Sequence, residues 1–411
     1  MNAEYEQGPG SPSIAILGGG IGGLAAAAFL HQAGLACTLY EQATQLKEIG
    51  AGLIVAPNAA RLLRELGVLG PFEQRAVRLD VGWEFRRWQD GTILSAEDLA
   101  TKCRRLYGEH TYTAHRADLL DVIRSVVPAE AIKLGRRVTE VRLAGERPVL
   151  RFSDGEILTP DVLIGADGIH SIVRAAVAEP VPPTYSGLCA FRGLVPAEHA
   201  PAFARRPAHT LWLGPAHHLV HYPISGGRLV NLVAFAPAGD YTVESWTATA
   251  TIEEFLAEFD GWDPRLTDLI RAGAASGVPG RWALLDRAPL KHWSRGTVTL
   301  LGDAAHPMFP FYGQGAAQAI EDAAVLTRCL AAALRRQPGD PDAAARGLRH
   351  YAELRITRTT RLQEVSHARA YVNHLPDGPE QEARDTSFTQ ADPLVANGWI
   401  YSYDTGSITE T

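Results

Sequence analysis

The chain has 411 residues, with 39 Lys and Arg against 46 Asp and Glu, for a net charge of −7 at pH 7. Hydrophobic residues make up 46 % and charged residues 21 %, ordinary for a globular protein and too apolar for a disordered one. The mild acidity argues against a nucleic-acid partner, which wants a basic stripe, and at roughly 100–200 residues per domain the length predicts two or three domains.

Ile14 to Leu17 is a short apolar run ending at glycine, which predicts a buried parallel strand. Leu24 to Ala33 reads as a helix closed by Gly34, and Ala36 to Tyr40 as a second strand. This βαβ spacing predicts an α/β fold with a parallel sheet and helices on its faces. Residues 14–30 carry no charge, but glycines at 18, 19, 20, 22 and 23 fit a strand, turn and helix better than a membrane span. Pro57 to Leu66 is amphipathic, with Pro in its first turn and Gly67 past its end.

Further along, residues 148–159 pair two alternating runs across Asp154-Gly155, a hairpin signal, and Val162 to Ile164 is another buried strand. Residues 181–240 hold several prolines and a second hairpin, Leu219 to Ile224 and Leu229 to Phe235 around Ser225-Gly226-Gly227. They read as a separate antiparallel β-layer. Val298 to Leu301 returns to buried-strand character. A helix is expected from Gly315 to about Arg336 and another from Ala343 to about Ala370, with 375–398 irregular.

Cys37, Cys103, Cys189 and Cys329 are scattered, without a CxxC pair or a histidine at metal-ligand spacing. They read as reduced, mostly buried thiols in a cytoplasmic protein with no metal site. Residues 1–13 contain no Lys or Arg, so no signal peptide is expected.

Gly18-x-Gly20-x-x-Gly23 follows a strand and opens a helix. The first glycine allows the tight turn, the second lets the backbone approach a pyrophosphate, and the third lets the helix pack on the strand. Phosphates would sit at the helix N-terminus, where free N–H groups and the dipole favour anions. Glu41, ending the next strand, suits the two ribose hydroxyls. Two further motifs, Asp167-Gly168 and Gly302-Asp303, each close a strand. A carboxylate there can hydrogen-bond a ribityl hydroxyl, so one long dinucleotide, FAD, explains all three motifs together.

On these residues, with Gly50-Ala-Gly52, His115-Arg116 and Gly302-Asp-Ala-Ala-His-Pro-Met308 running on to Gly313-Gln-Gly315, the chain resembles the group A flavoprotein aromatic hydroxylases. That family includes the salicylate, 3-hydroxybenzoate and 6-hydroxynicotinate enzymes. The resemblance runs from Ile14 to about Tyr403. It implies a p-hydroxybenzoate hydroxylase-like fold. The FAD-binding domain would be discontinuous, over 1–80, 101–180 and 281–340. A β-sheet substrate domain would take 81–100 and 181–280, and a helical region 341–411. It also implies FAD as cofactor, NADH or NADPH as transient co-substrate, and O2, with an aromatic ring hydroxylated through a flavin C4a-hydroperoxide. Gly18, Gly20, Gly23, Glu41, Arg116, Asp167, Asp303, Gly315 and Ala316 would bind the cofactor. The helix beginning at Gly315 would set its dipole, worth roughly 0.3–2 kcal/mol, against the negative charge of reduced flavin. The glycines near 50–52 would ease a flavin swing.

Alternation along 217–222 sets His218, Val220 and Tyr222 on one face and His217, Leu219 and His221 on the other. In hydroxybenzoate relatives a histidine four residues before a Tyr-Pro pair helps deprotonate the phenol, which makes a stronger nucleophile. His218 and Tyr222 occupy those places and are the expected catalytic residues. Arg192, Ile54, Phe311 and Tyr312 are expected to line the substrate pocket. His306 is expected to shape the cofactor loop, and His115 to support Arg116. The 6-hydroxynicotinate enzymes carry histidines where this chain has Ile54 and Phe311, and the 3-hydroxybenzoate enzymes a glutamine at Pro310, which implies a more apolar pocket here and a different ring. The expected partners are a small aromatic substrate and O2, with the protein a monomer or homodimer away from membranes. The same scaffold supports epoxidation, ring expansion or decarboxylative hydroxylation, and also occurs in non-catalytic binding proteins. Intact Glu41, Asp167 and Asp303 argue against the last.

Overall fold

The computed structural model describes residues 12–46, 52–145, 147–179, 181–240, 248–274 and 277–408. Gly50 and Ala51, expected to ease a flavin swing, lie outside them.

A six-stranded sheet runs in the order Ser294–Arg295, Val298–Leu300, Val162–Gly165, Ile14–Leu17, Cys37–Tyr40 and Ile132–Lys133, parallel except for the first strand. The central strands 14–17, 162–165 and 298–300 are fully buried, as their unbroken apolar runs require. The first helix, Ile21–Gln32, begins three residues before the sequence reading placed it, because the glycine turn itself supplies its first turn. It packs against the sheet strands and against the long helix Gly315–Arg336. Ala25 to Ala28 are all buried, and their small side chains let the elements approach closely. Helix Ala343–Asn373 lies across the outer side of 315–336.

A seven-stranded sheet forms the second layer, in the order Gly280–Asp286, Thr184–Pro196, Leu229–Pro237, His217–Ile224, Ala208–Gly214, Val81–Arg87 and Ile93–Asp98. Its pairings are antiparallel except that 208–214 runs parallel to 81–87. One face packs Phe191, Trp212, Leu219 and Leu232 against helices Ile252–Glu258 and Pro264–Ala274. The opposite face gathers Leu211, Val220, Tyr222 and Phe235 with Phe309 and Phe311 from the cofactor side. Both hairpins form where the turn residues placed them, at 147–158 and at 217–237.

The stretch 375–398, expected to be irregular, is not: Pro379–Gln390 is a helix, with Pro at its first position after Gly378. Its hydrophobic anchor is Phe388, stacked on Phe85 at 4.7 Å. A single aromatic contact leaves almost no apolar periodicity to read. Among the described residues, no helix is long and apolar enough to cross a membrane, and no group of three His, Cys, Asp or Glu side chains is placed to hold a metal.

Candidate active site

Three strand ends of the parallel sheet lie side by side, so their loops share one edge. Gly18 N–H donates to Tyr40, Ala166 N–H to Leu17 and Leu301 N–H to Gly165, which stitches those loops together. The loops open on a cavity of about 920 Å³ that reaches to the inner face of the seven-stranded sheet.

The glycines divide by function. Gly18 has φ +104°, and a Cβ there would stand 2.3 Å from the Ala166 carbonyl oxygen. A Cβ on Gly23 would stand 1.9 Å from the Gly18 oxygen, so this glycine sets helix-to-strand packing. A Cβ on Gly20 or on Gly315 would meet nothing within 4 Å. These two backbones face open cavity at the N-termini of two helices. Open space at bare backbone N–H groups is a cradle for a pyrophosphate and a flavin edge, so the residues present fit FAD.

Glu41 sits over the glycine turn, where its carboxylate accepts Gly19 N–H at 2.7 Å and Ala43 N–H at 2.8 Å. Each oxygen keeps a lone pair for a ribose hydroxyl. Asp303 stands exposed on the cavity wall in the short turn Gly302–Ala304. Arg116 lines the cavity from the first position of helix Arg116–Arg124, which His115 caps by accepting Ala117 N–H on Nδ1 at 3.1 Å. Asp167 lines the cavity, and its carboxylate is also engaged by its own turn. Its carboxylate accepts Ser171 Oγ at 2.5 Å, Ile172 N–H at 2.8 Å and Val173 N–H at 3.3 Å. Burial pushes its pKa up against these donors. It therefore builds the 167–173 turn, which bounds the cavity, while Arg174 ties that turn to the Ala304 carbonyl at 3.0 Å.

A buried ionic cluster stands behind the start of helix 315–336. Asn58 Nδ2 donates to Gln314 at 3.0 Å and to Glu321 at 2.6 Å. Arg355 donates to Glu321 at 2.6 Å, Asp322 at 2.7 Å and Gln318 Oε1 at 2.7 Å, and all three charged side chains are fully buried. Asp322 also accepts Gly302 N–H at 2.9 Å and bonds His306 Nε2 at 2.5 Å. Burial raises the Asp322 carboxyl, but His306 and Arg355 outweigh it and hold it at about 2. His306 thus braces the loop beside Asp303, as expected. Glu321 and Asp322 are neighbours in the sequence, whereas the arginine that neutralises them lies 33 residues beyond Asp322, with no local pattern to mark it.

On the opposite wall, His218, Val220 and Tyr222 face the cavity as alternation predicts. On the other face, His217 bonds Glu258 at 2.9 Å, Leu219 joins the helix-side core, and His221 accepts Trp212 Nε1–H at 3.2 Å. Arg192 lines the same cavity, its guanidinium 4.2 Å from the Trp282 ring centre, and burial lowers its pKa to about 10. Ile54 and Phe311 line the cavity, but Tyr312 does not. Its ring turns away against Trp83, 5.1 Å between centres, because residues 310–312 form a single 3-10 turn that sends neighbouring side chains in different directions.

Sequence reasoning missed two histidines. His209 lines the cavity from strand 208–214, packed between Tyr222 at 5.3 Å and Trp83 at 6.1 Å. Its Nδ1 is buried without a hydrogen-bond partner, and burial pushes its pKa down to about 3. Strand alternation with Leu211 and Leu213 was the signal that could have found it. His374, just past helix 343–373, stands 2.6 Å from His218 Nδ1 through its Nε2. No local pattern marks it.

The model of the FAD binding domain family matches residues 12–366, so the chain belongs to that family. It is 41 % identical over 397 residues, 97 % of each chain, to the 3-amino-4-hydroxybenzoate 2-monooxygenase PtnB3 of Streptomyces platensis. It is 34 % identical over 372 residues to the 6-hydroxynicotinate 3-monooxygenase of Bordetella bronchiseptica, covering 90 % of this chain and 94 % of that one. Among solved structures, HpxO of Klebsiella pneumoniae, complexed with FAD and uric acid, superposes with a TM-score of 0.82 at 27 % identity, with 98 % of each chain covered. The protein is an FAD-dependent aromatic monooxygenase that uses NAD(P)H and O2 to hydroxylate a phenolic or hydroxy-aromatic acid substrate.

Proposed function

We propose that the substrate is a benzoate carrying a ring hydroxyl and an adjacent amino group, the substrate class of the Streptomyces platensis relative. The observation that carries this reading is the single cavity in which Arg192, His209, His218 and Tyr222 face the cofactor cradle. Arg192 is the half-buried cation for the carboxylate. His218 takes the phenol proton, and the Tyr222 hydroxyl donates to the resulting oxyanion. Burial raises the Tyr222 phenol above its ordinary range, so it stays protonated as a donor. His209, neutral at any working pH, offers one ring nitrogen to the amino group. Ile54, Phe309, Phe311 and Phe235 exclude water from the ring.

FAD, when bound, supplies the redox and oxygen chemistry. Gly18, Gly20 and Gly23 would cradle its pyrophosphate, Glu41 its ribose, Arg116 and Asp303 its linker and ribityl chain, and Gly315 and Ala316 its pyrimidine edge. Asp167 acts through the turn it builds. We infer a cytoplasmic monomer or homodimer without a nucleic-acid partner, divided into cofactor and substrate domains as in the sequence reading; the net charge of −7 and the two sheets support this.

The test is NADH and NADPH oxidation by the FAD-loaded protein with 3-amino-4-hydroxybenzoate, 6-hydroxynicotinate and 3-hydroxybenzoate, with product and peroxide measured together. Coupled oxygenation of the amino-hydroxybenzoate is the expected result. Stimulation by another ring instead, or peroxide alone from all three, would reject this substrate class.

A further inference from the structure

His218 has two ring nitrogens and uses them on different sides. It lines the cavity, yet its Nδ1 is bonded at 2.6 Å to His374 Nε2, and His374 is not part of the cavity wall. Phe235 stacks on the His218 ring at 4.5 Å and Phe311 meets it edge-on at 5.1 Å, which fixes its plane. Ala216 N–H donates to the His374 carbonyl at 3.0 Å and holds the second imidazole in register. His218 is 1 % exposed, whereas His374 is partly exposed. The pair therefore runs from a buried point on the cavity wall to a partly exposed imidazole outside it.

We propose that His374 is the outlet of a two-imidazole proton relay that carries the substrate's phenol proton from His218 to solvent. This rests on the reading of His218 as the base. The relay starts from the tautomers in which His218 Nδ1–H donates to His374 Nε2 and His374 keeps its proton on Nδ1, one of the two arrangements the 2.6 Å contact accommodates. The substrate O–H bond breaks as its proton joins His218 Nε2. The Nδ1 proton of His218 crosses to His374 Nε2, and the Nδ1 proton of His374 leaves to water. The substrate is left as the phenolate and both imidazoles end neutral. A return flip of the two rings or a reverse proton hop restores the tautomers.

The surroundings favour transit over storage. Among the described residues, neither ring bonds a carboxylate. The charged or titratable groups that act on His218, besides His374, are His217 and Arg369, and His217 also acts on His374. Burial lowers both pKa values, that of His374 to about 4, so neither ring retains the proton at neutral pH. Glu258 bonds His217 on the far face of the strand.

The experiment uses the oxidised FAD-loaded protein in weak buffer with phenol red, mixed in a stopped-flow with 3-amino-4-hydroxybenzoate. The phenolate absorbance of the ligand and proton release to the dye are followed together. Wild type should form phenolate and release one proton at the same rate. His374→Gln, which can hold His218 but cannot pass a proton, should slow proton release by a factor of about 100 while still binding ligand. His374→Ala should be slowed likewise and restored by added imidazole, which a loss of packing would not be. Wild-type release rates in both variants would overturn the relay and leave His218 as base. Ligand bound by wild type without any phenolate band would overturn the base assignment, and the relay with it.

Discussion

Replacing Arg355 with Met tests how firmly the cofactor cradle is braced. The guanidinium is fully buried and bonded to two carboxylates that are fully buried as well. Met preserves the packing of the stem and removes the charge. Glu321 then keeps Arg358 at 2.8 Å and Asn58 at 2.6 Å, and Asp322 keeps His306 at 2.5 Å and Gly302 N–H at 2.9 Å. Removing one partner of a buried pair costs about 3–5 kcal/mol, and the retained donors place this case near 3. That is a large part of a stability of about 5–15 kcal/mol. Urea denaturation followed by circular dichroism measures it. The pH dependence carries a sign. In the wild type the Asp322 carboxyl is held at about 2, below its ordinary 3.8, so its contribution is complete above 3.8 and is lost as pH falls through about 2. In the variant Asp322 keeps His306 and Gly302 N–H but loses Arg355, so its carboxyl rises from the wild-type position. Protonation then costs the variant less as pH falls, so the gap to wild type narrows in acid. A loss below about 1 kcal/mol at pH 7, or a gap that stays constant with pH, would refute the electrostatic account.

Gly20→Val and Gly23→Val should separate two losses. The first adds a side chain only to open cavity and should abolish flavin retention at near-normal thermal stability, whereas the second collides with the Gly18 carbonyl and should destabilise the fold itself; flavin content and melting temperature, measured together, distinguish them. Asp303→Ala should lower the flavin absorbance retained after gel filtration, and unchanged flavin content would remove Asp303 from the cradle. Arg192→Met should raise KM for a carboxylated ring by a factor of about 10–100 with a smaller effect on a ring lacking the carboxylate, as expected for losing one charge-assisted hydrogen bond. Equal effects on both rings would argue against the pairing.

The elements that chain-local rules can specify were legible. The glycine turn, the buried strands and the hairpin 217–237 follow from spacing and turn residues, and alternation alone sorted His218 from His217 and His221. What escaped depends on partners distant in the chain. His374 is 156 residues from His218, and Arg355 meets Glu321 and Asp322 only because two helices cross. Tyr312 was assigned to the pocket by adjacency to Phe311, but a 3-10 turn separates neighbours. Asp167 was expected to bind the cofactor, and it does line the cavity; that its carboxylate also serves its own turn depends on the backbone path of 167–173.

The interleaving of the parallel sheet has a consequence for how the protein is made. The strand 14–17, which carries the fingerprint, lies next to 162–165, which in turn lies next to 298–300. On the ribosome the glycine turn emerges first and the two strands beside it, 37–40 and 162–165, follow within the first half of the chain, but strand 298–300 and helix 315–336, which covers the turn, come only after about three-quarters has been made. Flavin capture is therefore a late event in biogenesis. A nascent chain stalled before residue 300 would expose the edge of an unfinished hydrophobic sheet, a substrate for chaperones and for aggregation, and would carry no flavin.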